Sequence, residues 1–217
     1  MNLLRWNCRG IGNAPIVQEL RDFARHLAPS IICILETQIE GKRVENLVES
    51  LGYNKSFAVN SSGRSGGLGI FWKDEIKVGV IGYSKYHIDV LIDDMIDMQV
   101  RATFVYGEAQ VPERYKTCDT LRGISETQGR PWAVLGDFNE VLHMHEHDGI
   151  GNRSQAQIEG FRDAIDTCGL TDIVYTGTDW TFEKKFAGGS FTRVRLDWCL
   201  VNPEWSLALL NTRLTHK

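Results

Sequence analysis

Two periods of apolar residue alternate along the chain. Short runs rich in branched and aromatic residues recur at 3–7 (LLRWN), 31–35 (IICIL), 67–72 (GLGIFW), 76–82 (IKVGVIG), 87–93 (HIDVLID), 98–107 (MQVRATFVYG), 131–138 (PWAVLGDF) and 194–201 (VRLDWCLV). Each has the length and composition of a β-strand. Elsewhere the period lengthens to that of a helix. Pro15 opens a segment in which Ile16, Leu20, Phe23, Ala24 and Leu27 share one face, and Val44, Leu47, Val48 and Leu51 repeat the spacing after Gly41. A third helix is predicted from Ser154, a natural N-cap, through the stripe Ile158, Phe161, Ile165 and Cys168, to a C-cap glycine at Gly169. Strands follow one another as well as alternating with helices, so the pattern predicts an α/β (α+β) sandwich of two sheets rather than a doubly wound parallel sheet. No linker, repeat or low-complexity tract interrupts it. The turn-rich loops at 60–67 and 147–154 are too short to mark a boundary, so residues 1–217 are expected to form a single domain.

Composition narrows the class. With 217 residues, 42% of them hydrophobic, the chain can bury roughly 70–75% of its unfolded surface without a disulfide or structural metal as staple. Cys8, Cys33, Cys118, Cys168 and Cys199 are odd in number, widely spaced and lack a CxxC pair, which argues against a secreted disulfide framework and a zinc site and for a reduced, intracellular setting. No apolar run approaches the ~20 residues of a membrane span, and the opening MNLLRWNCRG lacks a signal peptide's apolar stretch. A net charge of -4 means that any nucleic-acid contact must come from a local patch.

Four polar residues stand at or just beyond three apolar strand ends: Asn7, Glu36, and Asp137 with Asn139. Singly they read as a turn residue, a helix-start acid and a loop cap. Burying such groups without partners costs roughly 2–7 kcal/mol each, so together they point to a wet, metal-containing cleft. His143, His145 and His147, with Glu146 and Asp148, suggest a second metal site if they alternate along a strand, although a plain polar connection is the favoured reading. Trp132 and Trp198 lie inside apolar strands and are expected in the core. Trp180 precedes Lys184 and Lys185 and is the better platform for an unstacked base.

The segments WNCRGIGN (6–13), ILETQ (34–38), GRSGGLGIFWK (63–73), FVYGE (104–108), GDFNEVL (136–142), IEGFRDAIDTCGLTDI (158–173) and RLDWCLVNPEW (195–205) occur in this order. In order and spacing they resemble the endonuclease/exonuclease/phosphatase superfamily, with the four-layer two-sheet sandwich of the apurinic endonucleases and DNase I. The resemblance is closest to the amino-terminal endonuclease of plant LINE-type non-LTR retrotransposons. It implies a Mg²⁺-dependent enzyme, with Mn²⁺ as an alternative, that nicks DNA to leave a 3′ hydroxyl. It further implies that Glu36 ligates the metal with Asn7 in support, that Asp137 positions or deprotonates the attacking water, and that Asn139 holds the phosphate or orients Asp137. Tyr106 would donate to the scissile phosphate, and Asp197 would orient a histidine. Arg9, Arg64, Trp180, Lys184 and Lys185 are the expected DNA contacts. Asn7, Glu36, Asp137, Asn139 and Asp197 are expected to converge on one pocket.

Some positions depart from the pattern. Arg9 and Ala109 replace an aspartate and an asparagine of repair-type relatives, which counts against specificity for abasic sites. The family's Ser-Asp-His motif is expected beyond Lys217, so the domain is read as truncated before it and short of its terminal strand, with His216 no substitute. DNA is the expected partner, without membrane or small-molecule cofactor; oligomeric state is not legible. A retrotransposon endonuclease acts in the nucleus, yet no basic localisation run is visible. The alternative function is a catalytically impaired or domesticated nucleic-acid- or protein-binding module on the same fold, and a phosphatase reading is disfavoured by the closeness of the later motifs.

Overall fold

The computed structural model describes every residue except Arg64, 95–97, 126–128, Asn152 and Lys217, and of Asp94 the backbone alone. Contacts divide the chain into two compact units, Met1–Tyr106 and Gly107–Lys217.

In the first unit, β1 (Leu3–Asn7) runs into α1 (Ala14–Leu27) and returns as β2 (Ile31–Leu35), parallel to β1. The Asn13 side chain caps α1 by accepting the Ile16 N–H, and a proline follows where its missing N–H costs nothing. The short helix α2 (Gly41–Glu45) precedes β3 (Lys55–Val59) and β4 (Leu68–Trp72), completing a four-stranded sheet of order β1-β2-β4-β3. Both inner strands, IICIL and LGIFW, are buried along their whole length, as continuous apolar runs require. Ile32, Ile34 and Phe71 form a core with Leu20 and Ala24 of α1 and Val44 of α2. The sequence predicts a helix as far as Leu51, but the chain leaves α2 at Glu45 and makes a separate 3₁₀ turn at Glu49–Leu51. Next, β5 (Lys77–Ser84), β6 (His87–Asp94) and β7 (Met98–Tyr106) form an antiparallel meander.

The second unit opens with α3 (Tyr115–Ser125), which the apolar period did not announce, and β8 (Trp132–Asp137). A 3₁₀ turn and β9 (His147–Gly149) lead to α4 (Gln155–Thr167). That helix begins at Ser154 in a capping box with Gln157, as its sequence predicts. Its buried Ile158, Phe161 and Ile165 each contribute about 1.5–3 kcal/mol of burial, and Phe161 meets Phe138 at 5.5 Å. Short strands follow: β10 (Thr171–Asp172), β11 (Tyr175–Gly177), β12 (Phe182–Lys185), β13 (Phe191–Val194), β14 (Asp197–Val201), then α5 (Pro203–Ala208) and β15 (Leu214–His216). β14 pairs antiparallel with β8 and β10, β12-β13-β9 form a three-stranded sheet, and β11 pairs with β15.

The apolar run at 194–201 is therefore not one strand. At Arg195 the backbone N–H turns to the Glu146 carbonyl, and at Leu196 to the Thr181 hydroxyl, which takes both residues off the ladder. Trp132 and Trp198 are core residues as expected, 1% and 2% exposed.

Candidate functional site

Beyond their last paired residues, Asn7 and Leu35, β1 and β2 keep exchanging backbone hydrogen bonds: Cys8 N to Leu35 O (3.0 Å), Gly10 N to Glu36 O (2.8 Å) and Ile11 N to Thr37 O (3.0 Å). From the other side, Thr37 N and Gln38 N donate to the carbonyls of Gly67 and Gly66, each at 3.0 Å. A β-carbon on Gly67, whose φ is +85°, would overlap the Thr37 hydroxyl. The segment 36–38 is thus clamped on both flanks in a conformation it would not otherwise hold. Glu36 and Gln38 have φ of 58° and 56°, and Arg9 has 46°. Each costs roughly 1–3 kcal/mol in a residue with a β-carbon, which the flanking bonds offset. Five described non-glycine residues have positive φ; Ala28 alone lies outside the segments around Asn7, Glu36 and Asp137, so the strain collects where chemistry was expected.

The Glu36 carboxylate is half-buried. Its Oε1 accepts a hydrogen bond from Gln38 Nε2 at 2.9 Å, and its second oxygen accepts none among the described residues. Asn7 Oδ1 accepts the Arg9 N–H at 3.2 Å, closing a local turn. These donors are oxygens, one charged and one amide, a set that fits a hard cation such as Mg²⁺ or Mn²⁺ and not a thiophilic one.

In the second unit, Asp137 ends β8 directly opposite Asp197, the first residue of β14. Their side chains share a face of the pair, and both residues are buried, so like charges oppose each other and must be compensated locally. The turn after β8 supplies donors. Asn139 N–H bonds Asp137 Oδ1 at 3.0 Å, with Asn139 in the left-handed region (φ 55°), and Asn139 Nδ2 reaches the Gly107 carbonyl at 2.9 Å. A primary amide has a second N–H, which stays available to a ligand. Gly107 N–H in turn donates to Asp137 O at 2.6 Å, and a β-carbon on Gly107 would overlap the Phe138 backbone. Thr181, which the sequence did not single out, accepts the backbone N–H groups of Leu196 and Asp197 at 2.9 and 3.1 Å.

Behind the turn lies a buried ionic group. Glu140 is paired with Arg114 at 3.4 Å and Arg153 at 3.6 Å. Burial pulls the Arg114 guanidinium below its ordinary pKa, while the charges of Glu140, Asp137 and Glu108 oppose that pull. The Arg195 Cζ lies over the Trp198 ring, 3.8 Å from its centre, and the guanidinium holds Asp172 at 2.7 Å. Burial nevertheless raises the Asp172 carboxyl above its usual range, the Arg195 bond offsetting only part of it. Tyr106 ends β7 in the first unit, 8% exposed, with its N–H on the Tyr86 carbonyl at 2.8 Å.

Of the expected DNA contacts, Arg9 is exposed on the loop after β1, and Arg64 lies outside the described residues. Trp180 sits just before the β12–β13 hairpin, which carries the exposed Lys184 and Lys185. One partner already occupies the indole: Arg193 stacks on it at 4.7 Å while bonding Asp148 at 2.9 Å. The histidine-rich segment is not a continuous strand: His143 is extended, but Met144–Glu146 form a 3₁₀ turn. His143 and His145 stack on each other at 5.3 Å, and no described cluster of three or more histidine, cysteine or acidic groups could hold a metal. His216 is buried, stacked on Tyr175 at 4.5 Å. The five cysteines are all buried, and none is in a disulfide. Among the described residues no helix is long and apolar enough to cross a membrane.

The profile of the Endonuclease/Exonuclease/phosphatase family matches residues 6–211. The chain belongs to that family. No curated protein sequence matches it significantly. Solved structures similar in fold include the AP endonuclease LMAP of Leishmania major (TM-score 0.67, 14% identity, covering 94% of this chain and 79% of that one). The endonuclease domain of TRAS1, a telomere-specific non-LTR retrotransposon, is similar at TM-score 0.65 and 15% identity, over 94% and 85%. The 3′–5′ exonuclease NExo of Neisseria meningitidis follows at 0.64 and 17%, over 96% and 89%. At these identities the likeness establishes the fold, and it is the mixed α/β fold expected for the Endonuclease/Exonuclease/phosphatase family.

Proposed function

We propose that this protein is a Mg²⁺-dependent DNA endonuclease of the retrotransposon kind, cutting one phosphodiester bond to leave a 3′ hydroxyl. The observation that carries the reading is the turn after β8: Asp137 opposite Asp197, oriented by the Asn139 N–H, in a chain of this family. Two structures of similar fold, a Neisseria 3′ phosphatase and zebrafish TDP2, were solved with DNA products, which favours DNA as the substrate here.

Each residue's chemistry suits a role. Glu36, with Asn7, would hold Mg²⁺, whose contribution is to neutralise charge on the phosphate oxygens. Asp137, kept in place by its backbone donor, accepts the proton of the attacking water. Asn139, through its remaining amide N–H, and Tyr106, through its phenol, donate to the phosphoryl oxygens as negative charge grows there. Asp197 would orient a histidine near the scissile phosphate, the role that the family resemblance gives it. Arg9, Trp180, Lys184 and Lys185 contact the DNA, and Arg64 is proposed with them.

The test is conversion of supercoiled plasmid to nicked circles with Mg²⁺ and with chelator, followed by extension of the nicks by a DNA polymerase that needs a 3′ hydroxyl. Metal-dependent, extendable nicks are expected. Plasmid binding without nicking in either Mg²⁺ or Mn²⁺ would overturn the reading in favour of a binding module.

A further inference from the structure

We propose that Gln38 fixes Glu36 as a one-oxygen metal ligand and so sets a preference for a small divalent cation over a large one. The inference rests on the reading of Glu36 as the Mg²⁺ ligand. Gln38 Nε2 donates to Glu36 Oε1 at 2.9 Å, which engages one lone pair of that oxygen and leaves Oε2 as the carboxylate's less encumbered oxygen.

The donor is itself immobilised. Its backbone N–H is bound to Gly66 O at 3.0 Å and its φ is held at 56°. Gly10 lies against the carboxamide, since a β-carbon there would stand 3.0 Å from Gln38 Oε1 and 3.4 Å from its Cδ. The Glu36 backbone is held as well, because its carbonyl accepts the Gly10 N–H at 2.8 Å. One loop therefore holds both ends of the Glu36–Gln38 contact.

Chemistry turns that contact into selectivity. A neutral amide restrains the carboxylate without cancelling its charge, as a lysine at this position would. Mg²⁺ demands near-octahedral geometry, keeps several waters and is satisfied by a single carboxylate oxygen, whereas Ca²⁺ is larger and readily takes a carboxylate through both oxygens. With one Oε1 lone pair already engaged by Gln38, the two-oxygen mode must share that oxygen between the amide and the cation, which weakens the second metal–oxygen bond for Ca²⁺ and leaves the one-oxygen Mg²⁺ mode untouched.

The experiment titrates the full chain, without DNA, with MgCl₂ and with CaCl₂ in a calorimeter. Gln38→Met keeps the length and loses the donor; Gln38→Ala controls for any effect of the thioether; Glu36→Gln is the reference. Thermal melts of each variant check folding. Partners that orient a ligand are typically worth about 10–100-fold in metal affinity, so both Gln38 variants should lose about tenfold of the Mg²⁺-over-Ca²⁺ preference. A wild-type affinity ratio in both, with binding abolished by Glu36→Gln, overturns the role of Gln38 and leaves the metal reading intact. Metal binding unaffected by Glu36→Gln overturns both.

Discussion

The segments carrying Glu36 and Asp137 solve the same problem, a carboxylate at a strand end, by opposite means. Around Glu36 the work is done by backbone: hydrogen bonds on both flanks force a left-handed loop, and the carboxylate is half-buried with one neutral partner. Around Asp137 and Asp197 it is done by burial and charge, with Glu140 of the turn paired to Arg114 and Arg153 in a buried ionic group. An open, singly restrained carboxylate suits exchange of a cation and its waters. A buried one with fixed donors suits proton transfer, where position matters more than access.

The contrast is sharpest in stability. Removing the shared partner of a buried ionic group leaves uncompensated charge, so Glu140→Met, which strips both Arg114 and Arg153, should lower the unfolding free energy by about 3 kcal/mol in urea melts. Glu36→Gln should move it by less than about 0.5 kcal/mol, as expected of a partly exposed side chain. Equal losses would erase the distinction. The two glycines come next. Gly67→Ala and Gly107→Ala each force overlap with fixed atoms and should cost about 2 kcal/mol. If they fold, Gly67→Ala should raise the Mg²⁺ concentration that half-saturates nicking, and Gly107→Ala should lower the maximal rate.

How much of this was visible beforehand depended on the range of the forces involved. The strands at 3–7, 31–35 and 98–107 and the helix at Ser154 were legible because period and caps are local signals. Helix α3 was not: its buried residues are Thr117, Cys118, Leu121 and Ser125, too small and polar to make an apolar stripe. Strands β9 to β13 and β15 are two to four residues long and exist through their partners. Asn7, Glu36, Asp137 and Asn139 stood out because polar groups at apolar strand ends are conspicuous. Thr181 and Arg114 did not, since their partners lie 15 to 26 residues away in sequence. Gln38 sits two residues from Glu36, but its role appears only once the left-handed loop turns it back.

The smallest expected effect is on pH. Burial raises the folded Asp172 carboxyl above its ordinary 3.8. As pH climbs past 3.8 the unfolded chain releases this proton first, so the folded state binds more protons and its stability falls until the raised folded value is passed, then levels. Asp172→Asn should flatten that fall in thermal melts between pH 4 and 7. An unchanged slope would show that Arg195 compensates the buried carboxylate fully.

The division of labour is tested most directly by measuring plasmid nicking against Mg²⁺ concentration for the wild type, Glu36→Gln and Asp137→Asn. Glu36→Gln should raise the half-saturating Mg²⁺ at least about tenfold, whereas Asp137→Asn should leave it unchanged and cut the saturating rate by about 10²–10⁴. A Glu36→Gln enzyme with wild-type metal dependence, or an Asp137→Asn enzyme that regains full rate at high Mg²⁺, would contradict the account.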